Sequence, residues 1–269
     1  MEFAISTAVF HGKDLRKAFD FVNDLGISLE LFPQWDNPDF VNFIERHVQD
    51  LRGITYSLHE PMNSCEHTAK RGTKEHARSL EVCRKTFEYA AKVEAKHMVY
   101  HHNNCPIPSE NARADMIKYS NENLCEMNEI AAEYGIPYLV ENAGARSYNN
   151  VLLTEDEFIE LFNSIDNDCL LDIGHAHCNN WDIKKVVTAL GERIVSYHVH
   201  DNDGQSDGHL RIGDGTLDVA AFLRLYSEKT PRAQFTFEYA PGMAISAGDL
   251  REEINNLILP YFINKKCEK

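Results

Sequence analysis

With 269 residues and 43% hydrophobic content, the chain is long enough to bury one large core, and its 42 acidic against 27 basic side chains leave a net charge of −15. A surface that negative repels phosphate backbones, which argues against nucleic acid as a partner. No window approaches eighteen uninterrupted apolar residues, so no transmembrane helix is expected. The start, MEFAISTAVFHG, lacks the basic flank and long apolar run of a signal peptide. The seven cysteines are scattered without a CxxC pair, which fits reduced thiols in a cytoplasmic protein better than disulfides or a sulfur-rich zinc site.

Along the chain, short β-branched or aromatic runs alternate with longer amphipathic stretches. The runs predicted as strands are FAISTAVF (3–10), ISLELFP (27–33), ITYSLHEP (54–61), KHMVYHH (96–102), IPYLVENA (136–143), CLLDIGHAH (169–177), RIVSYHVHD (193–201) and QFTFEYAP (234–241). The clearest predicted helix covers roughly 74–95, where Ala77, Leu80, Cys83, Phe87, Ala90 and Ala91 approximate a 3.6-residue apolar face. Gly26 and Gly135 stand where helix C-caps belong, and Thr154 with Glu157 has the spacing of a capping box. Eight strand–helix units in one chain of this length predict an α/β fold, a single (β/α)8 TIM barrel with a parallel eight-stranded sheet, as one domain over 1–269. A doubly wound open sheet is the alternative, but it usually has fewer strands.

In such a barrel, catalytic groups gather at the C-terminal ends of the strands. The last residues of runs two to eight include Glu30, His59, His101, Glu141, Asp172, His198 and Glu238, while the earlier positions are mostly apolar. Carboxylates and imidazoles crowded at one rim lose solvation and repel one another unless something compensates them, and a divalent cation does so directly. Mixed nitrogen and oxygen donors suit Mn2+, Zn2+, Co2+ or Mg2+. Other histidines, His47, His67, His76 and His97, receive no role. Trp35, after the second strand, is the best candidate for an apolar wall over a bound ligand, with Phe10 and His11 after the first. Arg211 is a candidate phosphate reader.

The phrases VENAG (140–144), LDIGHAH (171–177), YHVHD (197–201), DGHLRIGDG (207–215) and FEY (237–239), in this order and at these strand ends, resemble the xylose-isomerase-like TIM-barrel superfamily. That superfamily holds sugar isomerases and epimerases, inosose-processing enzymes and endonuclease IV. The resemblance runs over nearly the whole chain. It implies a metal quartet of Glu141, Asp172, His198 and Glu238, with His200 as the close competitor of His198 and otherwise a substrate contact. It also implies that His59, His101, His175, Asp207 and His209 match the additional-metal ligands of endonuclease IV-like members.

The resemblance implies a divalent-metal-dependent isomerase or epimerase, with Mn2+ or Zn2+ as cofactor and no organic one. Glu141 and Glu238 would move a proton next to the carbonyl of a keto-sugar, sugar phosphate or cyclitol, through an enediolate that the cation stabilises. Glu30, His59, His175, His200, Trp35 and Arg211 would contact that substrate. A dehydratase or lyase using the same site is one alternative, and an endonuclease IV-like phosphodiesterase another. The resemblance is also compatible with a homo-oligomer, since barrels of this family often pair.

Overall fold

The computed structural model describes residues 2–10 and 15–263, so His11 lies outside the described residues. The strands are β1 (Phe3–Ser6), β2 (Ser28–Leu31), β3 (Thr55–Leu58), β4 (His97–His101), β5 (Tyr138–Glu141), β6 (Cys169–Asp172), β7 (Ile194–Val199) and β8 (Gln234–Phe237). They close in chain order into a barrel, and every neighbouring pair, β8 with β1 included, is parallel. No helix among the described residues is long and apolar enough to cross a membrane.

Alternation along each strand divides the barrel into two environments. Met98, Tyr100, Tyr138, Val140, Cys169, Leu171, Tyr197, Phe235 and Phe237 belong to the main apolar core shared with the surrounding helices. The intervening positions form a separate small cluster, Val99, Leu139 and Leu170, with Val195 packed against it. Two residues further along those strands come His101, Glu141 and Asp172, all buried. β4, β5 and β6 thus each have an apolar outer face, an apolar residue in the inner plug, and a polar residue above it.

Helix boundaries follow local chemistry. The long helix Lys74–Lys92 starts at Thr73, whose hydroxyl accepts from His76 N. The capping box at Thr154 and Glu157 is present, and Gly26 and Gly135 end their helices at φ +66° and +67°, a left-handed conformation that costs glycine little.

The strands are shorter than the predicted runs. CLLDIGHAH is the clearest correction: β6 stops at Asp172 and a one-and-a-half-turn helix, Ile173–Cys178, follows. Asp172 itself causes the change, because its Oδ1 accepts from His175 N at 2.6 Å and caps the helix. FAISTAVF likewise leaves the sheet at Ser6 for a 3-10 turn over Thr7–Val9.

Candidate metal and active site

Strand register sets the first neighbours. His101 pairs with Glu141 across β4 and β5, and Asp172 with His198 across β6 and β7. Glu238 follows directly after β8. His198 Nδ1 lies 3.2 Å from Glu238 Oε2, 3.5 Å from Glu141 Oε2 and 3.8 Å from Asp172 Oδ2. Donors bonded to one cation at about 2.0–2.2 Å sit at roughly such mutual separations.

Two further groups flank this quartet. On one side, His101 Nε2 is 3.0 Å and His59 Nε2 3.9 Å from Glu141 Oε2. On the other, Asp207 Oδ2 is 3.4 Å from His175 Nε2 and 3.2 Å from His209 Nε2. His175 Nδ1 also reaches within 3.2 Å of Glu141 Oε1. The four quartet residues and the five additional candidates therefore form one continuous cluster, with Glu141 touching all three parts.

The histidines share a pattern that suits metal ligation. His59 Nδ1 donates to the Glu60 carbonyl (2.9 Å), and His209 Nδ1 to the Glu238 carbonyl (2.8 Å). His101 Nδ1 is held by Asn104 Oδ1 (3.0 Å), whereas His198 Nε2 faces Glu30 Oε1 at 2.9 Å as a charge contact, neither atom having a hydrogen-bond partner. In His59, His101 and His209 one ring nitrogen is anchored by a hydrogen bond and the other is turned toward the carboxylates, as outer partners orient metal-binding imidazoles. His198 Nδ1, His175 Nδ1, Glu141 Oε1 and Asp207 Oδ1 are buried without a hydrogen-bond partner. Buried polar atoms are almost always satisfied, and a divalent cation is the partner this donor set fits.

Electrostatics point the same way. Burial works against the charged form of His198, yet Glu238, Glu30 and Glu141 hold its imidazole well above the usual range. His175 is likewise raised against burial by Asp172 and Asp207. His101 and His209 are each pushed up to about 9 despite burial, chiefly by Glu141 in the first case and Asp207 in the second. Against their own burial, His101 and His198 hold Glu141, and His198 holds Glu238, well below the carboxylate norm. The cluster thus carries excess negative charge that demands a compensating positive one. Protons on imidazoles meet the demand in part, and a divalent ion meets it by displacing them, so affinity for the ion falls as pH falls.

A cavity of about 290 Å³ opens above the cluster. His59, His101, Glu141, His175, Asp207, His209 and Glu238 reach it, whereas Asp172 and His198 lie beneath. Phe10, Phe32, Met62 and Tyr239 supply an apolar wall, and Gln34 and Asn63 bring amide groups. Phe32 stacks on His59 with ring centroids 4.7 Å apart.

Four expected substrate contacts do not reach this cavity. Glu30 points into the barrel below the rim, fully buried, where it accepts from Ser57 Oγ (2.8 Å) and faces His198. Trp35 turns outward: its Nε1 donates to Thr86 Oγ1 (2.7 Å) and its ring packs edge-on against Phe40 and Tyr89. Arg211 is committed to Glu253 (Nε–Oε1 2.6 Å). His200 stacks on His209 at 3.8 Å, lies 3.2 Å from Asp172, and is wedged against Gly174. A Cβ at Gly174 would meet the His200 ring at 2.0 Å, so only glycine admits the imidazole there.

The loop carrying Asp207 and His209 is built around Asp201, which was not singled out as a site residue. Its buried carboxylate accepts from Asn202 N (2.8 Å), Gly213 N (3.0 Å) and Leu217 N (3.0 Å), and its backbone pairs with Leu210. Other supports missed from the sequence are Asn142, which exchanges hydrogen bonds with the Asp172 backbone (2.7 and 2.8 Å), and Glu60 and Asn104 behind His101. Only their positions beside quoted ligands, in VENAG, LHEP and YHHNN, signalled them.

The Glu30–His198 contact yields an expected outcome. Glu30→Gln removes the negative charge that faces His198 Nε2 and should weaken divalent-cation binding about 10–100-fold, measured by competition with a chromogenic chelator. Unchanged affinity would show that the ring is oriented by packing alone.

Comparison with known proteins agrees with the barrel fold. A family model described as "Xylose isomerase-like TIM barrel" matches residues 19–257. Uncharacterized protein MJ1311 of Methanocaldococcus jannaschii is 24% identical over 243 residues, 85% of this chain and 80% of that one. Inosose isomerase of Bacillus subtilis is 27% identical over 125 residues, 43% and 44% of the two chains. Among solved structures, a D-tagatose 3-epimerase-like protein superposes with a TM-score of 0.79 at 22% identity, covering 99% of this chain and 100% of that one. The IOLI protein with a bound zinc atom gives 0.77 at 17% identity, covering 98% and 100%. The chain belongs to the xylose isomerase-like TIM-barrel family.

Proposed function

We propose that this chain is a divalent-cation-dependent isomerase or epimerase acting on a small carbohydrate, a keto-sugar, sugar phosphate or cyclitol. The observation that carries the reading is the placement of Glu141 and Glu238, two carboxylates three strands apart around the barrel that open on one cavity and are both held ionised. The sugar epimerase and inosose isomerase names among its relatives support it. The cavity volume, at the small end of ligand pockets, suits a small molecule.

Glu141, Asp172, His198 and Glu238 would hold the cation, with Zn2+ or Mn2+ the best matches to the donors and Co2+ or Mg2+ compatible. A bound cation supplies Lewis acidity toward a substrate carbonyl. The remaining work belongs to the side chains. An ionised carboxylate facing the cavity takes the proton from the carbon next to the carbonyl. The second carboxylate returns a proton to the opposite face of that carbon in an epimerase, whereas one carboxylate moves it to the neighbouring carbon in an isomerase. Phe10, Phe32, Met62 and Tyr239 exclude water around the reacting carbon, and Gln34 and Asn63 meet substrate hydroxyls. His59 and His175 border the same space.

The test is deuterium uptake from D2O into a panel of ketoses and inososes. Exchange at the carbon next to the carbonyl is expected for at least one of them. One observation favours a second reading, phosphodiester hydrolysis: the five additional ligand-type residues converge on both flanks of the quartet. Against it, no Lys or Arg is among the described residues lining the cavity. No exchange with any ketose or inosose, together with cleavage of abasic-site DNA, would replace the first reading with the second.

A further inference from the structure

Outside the barrel lumen, between the strands and the long helix, three residues converge that the function above does not use. Cys65 and His67 lie on the loop after β3, and Cys83 on the inner face of the helix Lys74–Lys92. His67 and Cys83 are fully buried and Cys65 is 7% exposed. Each places a ligand atom within 4.8 Å of the other two. The His67 ring has Nε2 2.8 Å from Glu60 Oε2 and 3.8 Å from Cys65 Sγ. Its Nδ1 is buried with no hydrogen-bond partner, whereas most buried polar atoms in proteins are satisfied. Tyr100 packs on the imidazole at 4.4 Å, Tyr138 OH lies 3.5 Å from Nε2, and Asn123 Nδ2 donates to the His67 carbonyl at 2.6 Å.

Two thiols and an imidazole, brought together from positions 65, 67 and 83, are a donor set of different character from the catalytic cluster. That cluster contains only oxygen and nitrogen ligands. Sulfur donors select Zn2+ and similar borderline-soft ions over Mg2+ or Mn2+. We propose that Cys65, His67 and Cys83 form a second cation site, apart from the catalytic cleft, that takes Zn2+ as a clamp between the loop after β3 and the helix Lys74–Lys92. As the ion binds, each cysteine forms a metal–sulfur bond and loses its S–H proton to solvent, while His67 binds through a neutral nitrogen. The clamp bears on the active site through Glu60, which accepts from His101 N at 3.1 Å and from Asn104 Nδ2 at 2.6 Å.

Cobalt distinguishes this site from the catalytic one. Full-length protein, stripped of metal and kept reduced, is titrated with Co2+ alone. Only a cobalt–thiolate bond gives a near-ultraviolet charge-transfer absorption, so its growth reports the sulfur site whatever fills the oxygen and nitrogen ligands. The expected result is a band that saturates, is bleached by added Zn2+, is absent in the Cys65→Ser/Cys83→Ser variant and persists in Asp207→Asn. Absence of the band in the wild-type chain, or its survival in the double cysteine variant, overturns the proposal. The latter result would instead implicate another thiol, such as Cys178, which lies against the His175 carbonyl. Where the double variant does not fold, cobalt X-ray absorption of the wild-type protein decides: sulfur among the cobalt neighbours supports the site, and its absence refutes it.

Discussion

Glu238→Gln is expected to lower turnover about 10²- to 10⁴-fold, the range that a positioned acid/base group supplies, equivalent to about 3–5.5 kcal/mol of transition-state stabilisation. Glutamine keeps the shape and one oxygen of the side chain, so the cavity wall survives, but it cannot accept a proton. The group is 5% exposed and lies 3.2 Å from His198 Nδ1, and against burial that imidazole holds its carboxyl in the ionised state. The measurement is a kcat comparison under saturating Zn2+ or Mn2+, alongside circular dichroism and the cation affinity of the variant. Retained turnover with intact fold would move the proton-transfer role to another residue. A loss that disappears at high cation concentration would instead make Glu238 a ligand without a proton-transfer part. Glu141→Gln is a less informative substitution, because that residue touches all three parts of the cluster.

The second large effect concerns folding. Glu60 and His67 form a buried ion pair at 2.8 Å, both 0% exposed. Against the cost of burial, His67 holds the Glu60 carboxyl down at about 2, and Glu60 raises His67 to about 10. The signs set the pH window. Glu60, depressed from 4.5, contributes stability above pH 4.5 that is lost as pH falls through about 2. His67, raised from 6.5, contributes stability below pH 6.5 that is lost as pH rises through about 10. The pair therefore supports the fold most fully between pH 4.5 and 6.5 in the metal-free chain. Glu60→Gln leaves an imidazolium buried without its counter-ion and should cost about 3–5 kcal/mol. Urea midpoints of the metal-free protein across pH 3–10 check this: the wild-type optimum should lie in that window, and the variant should lose it. A midpoint unchanged by the substitution would mean that the pair contributes nothing net.

The alternation of eight strand-like runs with amphipathic stretches was sufficient for the barrel, because periods of 2 and 3.6 are local properties of the chain. The strand-end residues were equally legible. Side chains two apart share a face, so the polar residues of YLVE and CLLD must project above the plug formed by Leu139 and Leu170. The sequence by itself therefore determined the architecture and the rim on which Glu141, Asp172, His198 and Glu238 stand.

Depth and direction were decided only by tertiary structure. Glu30 read as a rim residue, yet the β2–β3 register, which shifts between Leu29 and Glu30, leaves it beneath the rim against His198. Trp35 and Arg211 found partners, Thr86 and Glu253, that are 51 and 42 residues away in the chain, and those contacts turned them from the cavity. Asp172 ended its own strand by capping the next helix. Cys65, His67 and Cys83, unremarkable at their spacing in sequence, meet because a loop folds back onto the helix that follows it. Period and residue type are carried by the local chain, whereas which atoms touch depends on register, packing and burial, which only the closed barrel fixes.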